Sequence, residues 1–284
     1  MALTEKDKAK NKKALTEKDR VFAGKNNKPL ILVTNDDGIH APGLKALTEI
    51  ARKLGDVVVI APDEGRSGMS HAITIKYPLR LNKITDEENL VIYSCSGQPA
   101  DCVKLGVNQV LDRKPDLLVS GINHGSNSSI SVVYSGTMAA AVEGGLHGIP
   151  SVGLSISDFS SRPDFSACDH FGLHILKNTL LEGLPEGVCL NVNFPRLPRE
   201  DIKDIKICRQ ARGVWIEEFD KRVDPHRREY FWLTGYFDNY EPDDEDTDEW
   251  ALKNNYISVV PVRVDFSDLK AMDKLKLLYE KTSI

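Results

Sequence analysis

From Leu30 onward, short apolar runs alternate with longer segments whose apolar residues recur every three or four positions. Leu30 to Thr34 is apolar and β-prone. Leu44, Leu47, Ile50, Ala51 and Leu54 then follow helical spacing, and Val57 to Ala61 is again β-rich. Gly55 marks the helix end. Strand, helix and strand in this order predict parallel strands joined by a right-handed crossover, the unit of an open α/β sheet. Leu90 to Ser94 and Leu117 to Ser120 read as further strands, Ala100 to Val110 as a helix, Gly136 to Leu146 as an Ala-rich helix, and Ser151 to Ile156 as a strand. Phe171 to Leu181 has helical spacing and Val188 to Val192 is extended. The expected fold class is therefore α/β, a doubly wound and mainly parallel sheet reaching Pro195.

The two ends depart from this alternation. Ala2-Leu3-Thr4-Glu5-Lys6-Asp7 recurs as Ala14-Leu15-Thr16-Glu17-Lys18-Asp19 within a lysine-rich stretch, so residues 1–28 read as a charged tail, mobile or briefly helical. Asp201 to Pro242 mixes short β-prone runs such as Glu229-Tyr230-Phe231-Trp232-Leu233 with polar breaks, and is expected to form hairpins or extended arms. Exposed apolar strands of that kind pair with another subunit, which predicts a homo-oligomer. Seven acids between Glu241 and Glu249 read as a solvated loop, and Leu269, Met272, Leu275 and Leu278 as a terminal helix. The chain divides into the tail 1–28, a catalytic core 29–200 and an arm, hairpin and helix 201–284 that complete the core and contact other subunits.

At 284 residues, 41% hydrophobic and 28% charged, the chain has the composition of an ordinary globular protein. A net charge of −5 gives no general attraction to nucleic acid or an anionic membrane. Five cysteines without C-x-x-C spacing signal neither a disulfide framework nor a zinc cluster, and no apolar run is long enough to span a bilayer or form a signal-peptide core. A reducing cytoplasm is the expected setting.

In open α/β sheets, ligands bind beyond the carboxyl ends of the strands, near the reversal in strand order. Asn35, Asp36, Asp37 and Gly38 follow the first strand, Pro62 to Gly68 the second, and Gly121 to Asn127 the strand ending at Ser120. Adjacent carboxylates repel each other, and a hard divalent cation relieves the repulsion. The alternative is an acidic turn in which Asn35 and Asp36 hydrogen-bond their own backbone and Gly38 takes a positive φ. Ser135, Gly136 and Thr137 open the Ala-rich helix, where free amides and the helix dipole attract phosphate, although Ser and Thr also cap helices. A cation site and an anion site on one rim suggest phosphate hydrolysis.

These same segments resemble a known family. Val33-Thr34-Asn35-Asp36-Asp37-Gly38-Ile39, Ala61-Pro62-Asp63 with Arg66-Ser67-Gly68, Gly97-Gln98-Pro99-Ala100-Asp101-Cys102-Val103, Ser120-Gly121-Ile122-Asn123 and Ser135-Gly136-Thr137 look like the SurE, or survival protein E, family of metal-dependent nucleotidases. The match runs from about Leu30 to Pro195, and Thr247-Asp248 with Tyr256 to Pro261 resembles the family's C-terminal motif. The resemblance implies a Rossmann-like core and a phosphomonoesterase acting on nucleoside 5′- or 3′-monophosphates, with some members trimming short polyphosphate. It places the metal ligands at Asp36, Asp37, Ser67 and Asn123, and the phosphate-binding turn at Ser135, Gly136 and Thr137. It also implies dimers or tetramers that exchange C-terminal segments. His124 and Ser126 depart from the arginine and proline common in relatives.

The expected site therefore holds one Mg²⁺ or Mn²⁺ per subunit. Asp36 and Asp37 are the catalytic candidates, either one orienting or deprotonating water, and Asn35, Gly38, Ser67, Gly68, Asn123, Ser135, Gly136 and Thr137 are the candidate phosphate contacts. Asp63, Asp101 and Glu143 are expected to bond backbone, Arg66 to form a salt bridge, His40 and His71 to be structural or exposed, and His124 to serve either substrate or surface. A haloacid-dehalogenase-type phosphatase would need an aspartate where Asn35 stands, because a carboxamide does not form an acyl-phosphate. No Gly-x-Gly-x-x-Gly follows the first strand, which argues against a nicotinamide dehydrogenase. A non-catalytic nucleotide sensor is the remaining alternative.

Overall fold

The computed structural model describes residues 28–160, 162–216 and 219–280. The predicted N-terminal tail, up to residue 27, lies outside them. Strand β1 (Leu30–Thr34) is buried along its whole length, as its apolar run demands of a central parallel strand. Helix α1 (Pro42–Arg52) buries Leu44, Leu47, Ile50 and Ala51 and leads to β2 (Asp56–Pro62). The chain continues through β3 (Leu81–Glu87), β4 (Leu90–Cys95), α2 (Pro99–Leu105), β5 (Leu117–His124), α3 (Gly136–Leu146), β6 (Ser151–Ile156), α4 (Leu173–Glu182) and β7 (Val188–Phe194). After β7 come β8 (Ile205–Ile207), β9 (Gly213–Ile216), β10 (Phe219–Val223), β11 (Glu229–Leu233), β12 (Tyr236–Asn239), α5 (Asp248–Lys253), β13 (Ile257–Arg263) and α6 (Leu269–Tyr279).

Nine strands form one sheet in the order β3-β4-β2-β1-β5-β6-β7-β13-β8. The six from β4 to β7 in that order are parallel, β3 and β13 run antiparallel to their neighbours β4 and β7, and β8 is parallel to β13. Successive residues of a strand face opposite sides of its sheet. Ile31 and Val33 accordingly pack with α1 and α4, whereas Leu30 and Leu32 pack with α2 and α3 on the other face. The α/β class, the mainly parallel sheet and the helices on both faces agree with the pattern of the sequence.

Several elements differ from the expected ones. Strand β3 has no counterpart in the sequence reading, because it is an edge strand whose Asn82, Lys83, Asp86 and Glu87 are exposed. Helix α2 ends at Leu105 and continues as a wider π turn over Gly106–Val110. Strand β5 extends to His124, and its pairing with β6 slips by one residue between Ser120 and Asn123. The acidic run is not simply solvated: Arg209 pairs with Glu241, Asp244 and Asp246, while the buried Asp248 carboxylate accepts from the Ser129 and Ala211 amides. The arm consists of β9 paired with β12 and β10 paired with β11, both antiparallel. Phe219, Phe231, Trp232 and Leu233 of the second pair are exposed, and α6 buries none of its residues.

Candidate active site

The strand order reverses between β1 and β5, which places the ligand crevice of an open sheet beyond their carboxyl ends. The turn leaving β1 is tightly held. Asn35 Nδ2 donates to the Gly38 carbonyl at 3.0 Å. Gly38 has φ 94°, and a Cβ there would lie 2.9 Å from the Glu64 carbonyl carbon, so no larger residue fits. The Ile39 amide donates to Pro62 O at 2.8 Å and the Arg66 amide to Asp36 O at 2.7 Å, fastening the loop after β2 to this turn. Ser67 and Gly68 come next in that loop, both exposed, and the Ser67 hydroxyl bonds neither carboxylate.

Asp36 is 3% exposed and meets the first turn of α3. Thr137 Oγ1 donates to its Oδ1 at 2.5 Å, and a Cβ on Gly136 would come within 2.7 Å of its Cβ. Ser135 caps the same helix, accepting from the Met138 amide at 3.0 Å. Asp37 Oδ2 accepts from the His124 amide at 3.3 Å. The bulge in β5 re-aims the residues beyond it. Among them, Asn123 donates through Nδ2 to Gly125 O at 2.8 Å, which uses a donor of the amide and leaves Oδ1 as its acceptor. The structure thus joins Asp36 to Gly136 and Thr137 and Asp37 to the Asn123–Gly125 segment, while Ser67 reaches the group only through its neighbour's backbone.

Burial pushes the Asp36 carboxyl up from its ordinary range, with the Asp37 charge adding to the rise and the Thr137 hydrogen bond opposing it. Burial also raises Asp37, opposed by the His124 amide and the His124 charge. A cation beside them would stabilise both ionised forms. Among the described residues no three His, Cys, Asp or Glu side chains cluster as a metal site, so an ion at this place would take two carboxylates with amide and hydroxyl oxygens. Asn35 Oδ1 is buried without a hydrogen-bond partner. An all-oxygen set fits Mg²⁺ or Mn²⁺ better than a thiolate- or imidazole-preferring ion.

Around this centre, Asp101 accepts from the backbone amides of Thr74 and Gln98 and Arg66 forms salt bridges, as expected of those two, whereas the Asp63 carboxylate, expected to bond backbone, instead joins Glu64 as a partner of Arg66. Glu143 does not behave as a backbone-bonding acid. It lies inside α3 and holds His71 at 3.1 Å, Lys104 at 2.6 Å and His147 at 3.2 Å. Burial would raise its carboxyl, but the hydrogen bonds from His71 and Lys104 and their charges outweigh it and hold it at about 2. The one sequence signal for this hub is a lone acid in an otherwise small and apolar helix. His71 belongs to the Ser67 loop, and Ser70 beside it bonds Val133 O and Tyr134 O, so the loop is anchored on both sides of Ser67, Gly68 and Met69. A cavity of about 540 Å³ beside α3 is lined by His71, Ser135 and Met138 among others, and neither Asp36 nor Asp37 borders it.

The sequence model described as Survival protein SurE matches residues 31–217. The chain belongs to the SurE family. It is 57% identical over 252 residues to the 5′-nucleotidase SurE of Flavobacterium johnsoniae, covering 88% of this chain and 97% of that relative. It is 47% identical over 252 residues to the protein of the same name from Phocaeicola vulgatus, covering 89% and 97%. The crystal structure of a SurE protein from Aquifex aeolicus superposes with a TM-score of 0.75 at 38% identity, over 88% of this chain and 99% of the other. The chain is therefore an enzyme of the SurE family with that family's α/β fold, and the sensor and haloacid-dehalogenase readings are set aside.

Proposed function

We propose that this SurE-family enzyme, a nucleotidase, hydrolyses nucleoside 5′- and 3′-monophosphates to nucleoside and phosphate in a divalent-metal-dependent reaction. The reading rests above all on one observation: the buried Asp36, bonded to Thr137 at the N-terminus of α3, stands in sequence beside Asp37 at the reversal of strand order. Asp36, Asp37, Asn123 and Ser67 would hold one Mg²⁺ or Mn²⁺ per subunit. When bound, such an ion polarises phosphoryl oxygens and acidifies water. The amides at Gly136 and Thr137, with the Ser135 hydroxyl, receive the phosphoryl oxygens and stabilise developing negative charge through the helix dipole. Asn35 and Gly38 set the turn that carries the carboxylates, and Gly68 lets its loop approach the phosphate. Asp36 is committed to Thr137, so Asp37, held by one longer hydrogen bond, takes the proton of the attacking water. Short polyphosphate is a further substrate.

The division into a core 29–200 and an arm 201–284 belongs to the same proposal, with the arm joining subunits into a homodimer or homotetramer. The exposed aromatic side chains of β10 and β11 support that role. Five buried free cysteines support a reducing cytoplasm, and among the described residues no helix is long and apolar enough to cross a membrane. The test is phosphate release from 5′- and 3′-monophosphates and tripolyphosphate with Mg²⁺ or Mn²⁺, with and without chelator, alongside acid trapping of any phosphoenzyme. Release that stops on chelation and leaves no phosphoenzyme is expected. A phosphoenzyme on the β1 turn would overturn the water-attack mechanism.

A further inference from the structure

Phe159, in the turn after β6, is 82% exposed, yet the backbone on both sides of it is held. Ser157 donates to Phe194 O at 2.9 Å and Asp158 to Ile156 O at 2.7 Å. The Asp158 carboxylate, itself buried, accepts from the Ser160 amide at 2.8 Å and pairs with Arg196 at 3.4 Å. The backbone that carries the ring is therefore pinned, and the ring itself is an apolar surface turned to solvent that belongs to none of the hydrophobic clusters of the described residues.

Its position relates it to the carboxylates. The ring lies over Gly125, where a Cβ would come within 2.5 Å of Phe159 Cε1. Gly125 is the residue whose carbonyl holds the Asn123 amide, and its own amide bonds Ile156 O at 2.9 Å. Next to it, the His124 amide bonds Asp37. One short segment thus carries the Asn123 and Asp37 contacts and supports the exposed ring. The neighbouring His124 ring is already stacked on Phe165, with centroids 6.4 Å apart, whereas Phe159 has no ring partner among the described residues.

We propose that Phe159 is the stacking surface for the nucleobase, a specificity-determining residue that favours nucleotides over base-free sugar phosphates. The inference rests on the nucleotidase reading above. A flat aromatic face takes any base, because every base offers a π surface, and purines present the larger one. Because its backbone is already held, only the ring's own two side-chain torsions remain to be ordered when the base arrives. The interaction is made before and during reaction alike, so it acts mainly on KM.

The experiment compares kcat/KM for AMP and ribose 5-phosphate with Mn²⁺ in the full chain, as wild type, Phe159→Ala and Phe159→Trp. The wild type is expected to prefer AMP, and Phe159→Ala to lose about tenfold of that preference through a higher KM for AMP. Phe159→Trp is expected to keep it. A wild type without preference, or a Phe159→Ala variant with the wild-type preference, would overturn the inference. A wild type that releases phosphate from neither compound would instead sink the nucleotidase reading on which it stands.

Discussion

Thr137 Oγ1 donates to Asp36 Oδ1 at 2.5 Å, tying the first turn of α3 to the end of β1. The bond orients the carboxylate and opposes the rise in its pKa that burial imposes. Groups that orient a metal ligand in this way typically matter by about 10–100-fold in metal affinity or activity. Thr137→Val, which keeps the shape and removes the hydroxyl, is expected to shift the Mn²⁺ dependence of phosphate release to higher concentration by that order. Thr137→Ser should restore it. A Thr137→Val enzyme with wild-type metal dependence would show that the hydroxyl only ties α3 to the end of β1.

Gly136 is expected to tolerate no side chain. An alanine Cβ would lie 2.7 Å from Asp36 Cβ and 2.9 Å from Oδ2, closer than non-bonded atoms approach. Either the helix or the carboxylate has to move. Overpacking of this kind costs about 1–3 kcal/mol, and urea denaturation of Gly136→Ala should fall in that range. Its kcat is expected to drop well beyond what that destabilisation explains, because the displaced carboxylate is the one bonded to Thr137 in the proposed phosphate turn.

Glu143 predicts a pH dependence. Its carboxyl is held at about 2 against an ordinary 4.5, so folding depresses its pKa. The stabilisation is present above pH 4.5 and is lost as pH falls through the interval down to about 2. Unfolding temperatures of wild type and Glu143→Gln should therefore differ most above that interval and converge within it. The same variant releases His71 and, with it, one anchor of the Ser67 loop. A difference in unfolding temperature that stays constant from pH 6 to pH 3 would contradict this account.

The fold was legible where burial was two-sided. Strands β1 and β2 are nearly continuous apolar runs because both of their faces carry helices, and α1 shows its buried stripe openly. Strand β3 was not legible, since an exposed edge asks nothing apolar of Lys83 or Asp86. The site followed the same logic. Asp36, Asp37, Asn123 and Thr137 stand at element ends, where a sequence announces polar groups. Which carboxylate meets which hydroxyl depends on β1 pairing with β5 across some 86 residues of chain, which no local pattern records. The link from Glu143 to His71 spans 72 residues and was missed for the same reason.

Nucleotide hydrolysis is expected to depend on a divalent ion held by Asp36 and Asp37. Calorimetric titration of Mn²⁺ into the metal-stripped full chain, with AMP turnover measured on the same samples, separates this dependence from metal-free hydrolysis. The wild type is expected to bind one ion per subunit and to release phosphate only when loaded, and Asp37→Ala to lose both the binding and the release. Turnover of AMP by the metal-stripped protein, or Mn²⁺ binding and turnover retained in Asp37→Ala, would contradict it.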